Sequence, residues 1–184
     1  FNSLTYICFF AFFLIAYWSL PNRLRLWLIF LSSLLFYGFW KVSFIPLMLF
    51  SALVDYLVSL KFSTTSQRNK FKLLLFALTT NLGLLFLFKY LIFFSQSAIG
   101  LANLIGFTPD PFVLNIILPL GISFYTFQTI SYTVDVYRGV IEPERDFLVY
   151  ASYVTFFPQL IAGPVLRASE VVFQLQRRAT FEFS

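Results

Sequence analysis

Histidine is absent from this chain, and with it goes a large share of enzyme chemistry. Without an imidazole there is no Ser-His-Asp triad, no Cys-His pair and no His-liganded metal within these residues. One cysteine, Cys8, stands inside an apolar run, which excludes a disulfide framework and a thiolate metal site. Charge is scarce as well: 11% of the residues are Asp, Glu, Lys or Arg, where a soluble domain carries about 25%. The net charge of +5 does not indicate nucleic-acid binding. The basic residues sit in short stretches between apolar runs, a topological pattern and not a binding stripe.

What fills the chain instead is oil. Of its 184 residues 59% are hydrophobic and 22% aromatic, with a mean hydropathy of +0.82. One water-soluble core of this length cannot hide that much apolar surface, so the expectation is an integral membrane protein. The opening "FNSLTYICFFAFFLIAYWSL" has no basic leader and no small-residue cleavage site, and reads as a retained span.

About 20 apolar residues in a helix cross a hydrocarbon core of roughly 30 Å. Runs that meet or approach this length are Leu4–Leu20, Leu26–Trp40, Val42–Leu60, Leu73–Phe94 and Val113–Val134. The segment from Ser95 to Pro111 reads as a loop. The fold class expected is therefore all-α, a polytopic transmembrane helical bundle with about five spans. Alternating the connections puts Arg23, Arg25, Lys61, Arg68, Lys70, Lys72, Arg138 and Arg145 on one side, and Lys41 and Lys89 on the other. The positive-inside rule makes the first side cytoplasmic and the N-terminus external.

The stretch "FFPQLIAGPVLR", residues 156–167, breaks the pattern. It is apolar but carries Gln159 and is interrupted by Pro158 and Pro164. If Phe147–Ala162 crossed fully, Arg167, Arg177 and Arg178 would land outside; if it dips and returns, all three stay inside. Irregular backbone at membrane depth survives where protein or a wet cavity satisfies it. The segment is thus read as re-entrant, lining a cavity open to the cytoplasm; the alternative is a sixth span kinked at Pro158.

Polar residues inside apolar runs are candidates for function. Asp55 can pair with a basic residue at the interface or hydrogen-bond within the bundle, and Asn81 beside Gly83 suits helix packing. Gly121, Tyr125, Gln128, Tyr132 and Asp135 recur at spacings of four, three, four and three, which is one helical face. That face is either a hydrogen-bonded packing seam or the wall of a substrate path. Arg138 is placed to pair with Asp135. Together with Arg167 it either grips a phosphate-bearing donor or anchors the chain to lipid headgroups.

Five stretches carry a family resemblance: "FNS" at 1–3, "FYGFWKVSFIPLMLFSALVDYLVS" at 36–59, "LGLLFLFKYLIFF" at 82–94, "ILPLGISFYTFQTISYTVDVYRG" at 117–139, and "FFPQLIAGPVLR" at 156–167. In this order they resemble the membrane-bound O-acyltransferase family, in its alginate O-acetyltransferase-like branch of polysaccharide acetylases. The resemblance implies a multi-span enzyme of the bacterial cytoplasmic membrane. It would move an acyl group, acetyl in this branch, from a cytoplasmic thioester donor to hydroxyls of an exported polysaccharide. The donor would be acetyl-CoA or an acyl carrier, and no bound cofactor is expected. Expected partners are membrane lipids, the donor, and a polysaccharide met through periplasmic or extracellular proteins.

The family's general base is an intramembrane histidine, which these residues lack. The expectation is that residues 1–184 form the N-terminal part of a single multi-span domain whose histidine lies beyond Ser184. No catalytic residue carries over. The resemblance carries over cavity lining, on Gln128, Asp135, Arg138, Gln159, Pro164 and Arg167, to which the polar face adds Tyr125 and Tyr132. The contrasting reading is a non-enzymatic polytopic protein, a transporter or an assembly subunit.

Overall fold

Helices start and stop where the chain's few breakers fall. In the computed structural model, residues 4–104, 106, 118–162 and 167–176 are described, and every regular element among them is helical. The first helix, α1, runs Leu4–Ser19 and gives way at Pro21, whose extended backbone (φ −63°, ψ 149°) starts α2, Asn22–Lys41. Lys41 is extended (φ −164°, ψ 111°), and a 3₁₀ turn, Val42–Phe44, leads into α3, Ile45–Phe62. Pro46 lies in the first turn of α3, where its missing N–H costs nothing. The polar turn that follows opens α4, Gln67–Leu85.

A π turn, Phe86–Tyr90, carries α4 into α5, Leu91–Leu104. The reading of Ser95–Pro111 as a loop is therefore corrected over Ser95–Leu104. Ser and Gln are tolerated in a helix, and this one stops where Gly106 takes a positive φ of 78° and its N–H bonds to Asn103 O. The helix α6 is Ile122–Arg138. It ends in a Schellman motif: Val140 N–H reaches Asp135 O at 2.9 Å and Gly139 N–H reaches Val136 O at 3.0 Å. That geometry needs Gly139 in the left-handed region, at φ 72°.

The last described elements are α7, Phe147–Thr155, α8, Phe157–Ala162, and α9, Ala168–Gln176. The break between α7 and α8 is at Phe156 (φ −52°, ψ 105°), two residues before Pro158. Proline is accommodated inside the first turn of α8, where no intrahelical acceptor is available to its position. The first free donor of α8, Phe157 N–H, lies 3.3 Å from Ser33 Oγ on α2.

Side-chain contacts sort the connections to two ends. Tyr56 OH donates to Arg145 O, and Phe62 stacks edge-on with Tyr137 at 5.7 Å. The α3–α4 turn and the α6–α7 loop are thus neighbours. The α1–α2 turn joins them, since Tyr17 and Arg23 line one groove with Glu144 and Asp146. At the opposite end Tyr37 OH donates to Leu120 O at 3.1 Å, and Lys89 Nζ to Ser123 Oγ at 3.1 Å.

Burial is inverted relative to a water-soluble domain. Asp55 and Asn81 are fully buried, while Phe12 is 71% exposed and Phe39 76%. Exposed large apolar side chains recur along α1, α2, α3 and α4, far beyond the scattered ones of a soluble surface. Among the described residues, two helical stretches, Asn22–Phe62 and Gln67–Tyr90, are long and apolar enough to cross a bilayer. The first is divided at Lys41 into α2 and α3. The structure is that of a membrane protein, with lipid-facing oil outside and polar contacts within.

Candidate functional site

Polar groups gather first at the junction of α3, α4 and α6. Asn81 Nδ2 donates to Asp55 Oδ2 at 2.7 Å and to Ala77 O at 2.9 Å. Its Oδ1 accepts from Ser51 Oγ at 2.6 Å. Thr129 Oγ1 stands 3.4 Å from the same oxygen and 3.1 Å from Thr126 O. Thr133 Oγ1 completes the carboxylate by donating to Asp55 Oδ1 at 2.9 Å. Of the two roles open to Asp55 in the sequence, hydrogen bonding within the bundle is the one observed. A carboxylate bonded to neutral donors on two neighbouring helices is a clamp, and it leaves no open face for a reactant.

The face of α6 singled out by its spacing turns inward. Tyr125, Gln128 and Tyr132 are buried, Asp135 is half-buried and Arg138 is exposed. Gln128 Nε2 donates to Tyr153 O on α7 at 2.9 Å, and the Tyr132 ring packs on Tyr150 at 4.6 Å. To that extent the face is a packing seam. Among the described residues, however, Tyr125 OH, Gln128 Oε1, Tyr150 OH and Ser152 Oγ are buried without a hydrogen-bond partner. Finished interiors rarely leave such groups unused, so the seam retains polar capacity. No ion pair joins Arg138 to Asp135 among the described residues; the left-handed Gly139 follows at once, and Arg138 points to the exterior.

The broken segment descends from Asp146, whose Oδ1 caps α7 by accepting Leu148 N–H at 2.8 Å. Phe157 anchors its middle among Phe9, Phe13 and Phe36, with ring centroids 5.2, 5.2 and 5.3 Å away. Gln159 is buried. Leu160 reaches α6's opposite end, where a Cβ on Gly121 would stand 3.1 Å from Leu160 O. Arg167 is exposed beside Ala168, and Ala168 and Ser169 border the same cavity as Ile141–Arg145. The start of α9 thus lies at the same cavity as the loop before α7. Pro164 lies outside the described residues.

That cavity, of about 440 Å³, is walled by Tyr132, Glu142, Glu144, Arg145, Ala168 and Ser169 among others. Of the expected lining residues that are described, only Tyr132 borders it. The charged rim was not foreseen as a site, although "EPERD" between two apolar runs is the signal that marks it. Two tyrosines hold the rim in place. Tyr132 OH accepts Glu144 N–H at 2.9 Å, and Tyr56 OH donates to Arg145 O. The result is a fixed polar vestibule offering both charge signs above a tyrosine-rich interior. Among the described residues no cluster of His, Cys, Asp and Glu could hold a metal ion.

Comparison with known proteins finds relatives of one chemistry. The chain is 38% identical over 169 residues to the probable alginate O-acetylase AlgI of Pseudomonas putida, covering 90% of this chain and 34% of that protein. The corresponding protein of Pseudomonas aeruginosa is 37% identical over 169 residues, 90% of this chain and 32% of its own length. The peptidoglycan O-acetyltransferase of Helicobacter pylori is 38% identical over 191 residues, 90% of this chain and 35% of its own. The chain therefore spans about a third of the length of the curated relatives it matches. No family profile and no solved structure matches it. Across the residues it shares with them, the chain is similar to proteins named as alginate O-acetylases and as a peptidoglycan O-acetyltransferase, in keeping with its resemblance to the membrane-bound O-acyltransferase family.

Proposed function

We propose that this chain is part of a membrane enzyme that O-acetylates a glycan, taking the acyl group from a cytoplasmic thioester such as acetyl-CoA or an acyl carrier. The observation that carries the reading is the similarity, over 90% of the chain, to relatives named for O-acetylation of two different glycans. What those names share is acetyl transfer to a glycan hydroxyl. That shared chemistry, and not either glycan, is what we assign.

The membrane placement follows from charge. The end carrying Arg23, Lys61, Arg145 and their basic neighbours faces the cytoplasm of a bacterial inner membrane, with the N-terminus outside. We read α1, α2, α3, the α4 helix and α6 as spans and residues 147–162 as re-entrant, a reading supported by the return of Ala168 to the rim reached by Glu142 and Arg145. The rim then receives the donor, Arg145 engages its phosphates, and the unpartnered oxygens of the α6–α7 seam line the way inward. Proton removal from the acceptor belongs to a base outside these residues, because nothing here has a near-neutral pKa by type. The acceptor is expected to be presented from outside by partner proteins.

Deletion of the whole coding sequence tests the reading. Base-labile acetate on the cell's envelope and exported polysaccharides should fall, and return on complementation with the full-length protein. Unchanged acetate in every glycan fraction would overturn it.

A further inference from the structure

A second and larger hollow, of about 910 Å³, lies between α1–α2 and α7–α9. Its floor is apolar, built from Phe13, Leu14, Leu26, Ile29, Val149 and Phe156. Its rim is charged with both signs: Arg23 and Arg25 from the start of α2, Glu144 and Asp146 from the loop before α7. Tyr17 and Trp18 also line it, and such amphipathic rings suit a membrane–water boundary.

The rim groups differ in what they are already doing. Arg25 Nε donates to Leu20 O at 3.0 Å, and its guanidinium lies 5.1 Å from the Tyr17 ring and 5.2 Å from the Trp18 ring. It is a fixture of the α1–α2 turn. Arg23 is exposed and makes no hydrogen bond or ion pair among the described residues. Asp146 gives Oδ1 to Leu148 N–H and is exposed.

We infer that this groove seats one zwitterionic phospholipid with a primary-amine headgroup: acyl chain on the floor, phosphate on Arg23, ammonium on Asp146. An apolar floor that opens at interface depth asks for an amphiphile. The uncommitted guanidinium asks for phosphate, which Arg grips through paired donors. A purely anionic headgroup would set its charge beside Glu144 and Asp146 and gain little from Arg23. A headgroup with an ammonium beside its phosphate matches both signs at once. The groove and the smaller vestibule have different floors and share Glu144 on their rims, so the test reads lipid retention and not acyl transfer.

The test is native mass spectrometry of the full-length protein released from its membrane, with equal amounts of phosphatidylethanolamine and phosphatidylglycerol offered back. One retained phosphatidylethanolamine per chain is expected. Arg23→Gln should lower its occupancy about tenfold, the equivalent of one charge-assisted contact. Leu14→Trp, which fills the floor and leaves the rim alone, should exclude the lipid while the thermal midpoint in lipid-free detergent stays near wild type. Three results overturn the inference: no phospholipid retained, equal or better retention of phosphatidylglycerol, or retention unchanged in both variants. So does protection of Leu14→Cys from maleimide in delipidated protein lacking Cys8 (Cys8→Ser), which means a segment of the protein itself fills the groove.

Discussion

The side-chain amide of Asn81 donates to Asp55 Oδ2 across 2.7 Å, tying α4 to α3 at a point where both residues are completely buried. The same amide bonds Ala77 O and accepts from Ser51, so its donors and acceptor are all in use. In lipid, where apolar burial does little to hold helices together, such contacts help set the packing.

Asn81→Ala strands a buried carboxylate with Thr133 as its remaining side-chain donor. The expected loss is about 1–3 kcal/mol, read as a lower thermal midpoint of the purified full-length protein. Asp55→Asn keeps the geometry with a neutral amide and should lose less. Equal midpoints for Asn81→Ala and wild type would show that the clamp holds nothing.

Gly121 and Gly139 both have positive φ, but only Gly121 is crowded: its Cβ would meet Leu160 O at 3.1 Å, while nothing lies within 4 Å at Gly139. Alanine at either position incurs the left-handed strain of about 1–2 kcal/mol. At Gly121 it also pushes α8 off the start of α6. Gly121→Ala should therefore lower the midpoint more than Gly139→Ala; the reverse order would contradict the close approach of α8.

Because Cys8 is exposed, topology is best probed in a Cys8→Ser background. Ser66→Cys, at the start of α4, and Ser169→Cys, at the start of α9, should both react with an impermeant maleimide only after cells are opened. Labelling of Ser169→Cys alone in intact cells would mean that residues 147–162 cross the membrane and do not return.

Arg145 borders the vestibule and Arg138 does not. Arg145→Ala is expected to raise the KM for the thioester donor about tenfold, the scale of one lost charge-assisted contact. Arg138→Ala should have a smaller effect. If the two variants are alike, the vestibule is not where donor phosphates bind.

Helix ends were legible in the sequence where a breaker had a mechanical consequence. Pro21, which closes the first apolar run, starts α2 because it fixes the backbone angle a helix begins with; the span read as Val113–Val134 ends later, α6 running Ile122–Arg138 to its cap at Gly139. The inward turn of Tyr125, Gln128 and Tyr132 was legible from spacing alone. The helix from Ser95 to Leu104 was missed, since Ser, Gln and Gly suggest a loop although none of them forbids a helix. The π turn at Phe86–Tyr90 has no sequence mark at all. The Asp55–Asn81 contact joins residues 26 positions apart on different helices, a pairing that only tertiary packing decides. Arg138 and Asp135 had the right spacing for a pair, but the Schellman turn directs Arg138 outward.

The two tyrosine hydroxyls that grip the backbone at Glu144 and Arg145 come from α6 and α3. They turn most of the vestibule's frame into an extension of the bundle's rigid interior, like a door jamb set in masonry. The remaining wall, contributed by Ala168, Ser169 and Val172, belongs to α9, which leans on α7 and α6 without a comparable staple among the described residues. One side of the entrance is thus held by hydrogen bonds to the bundle and the other by helix packing.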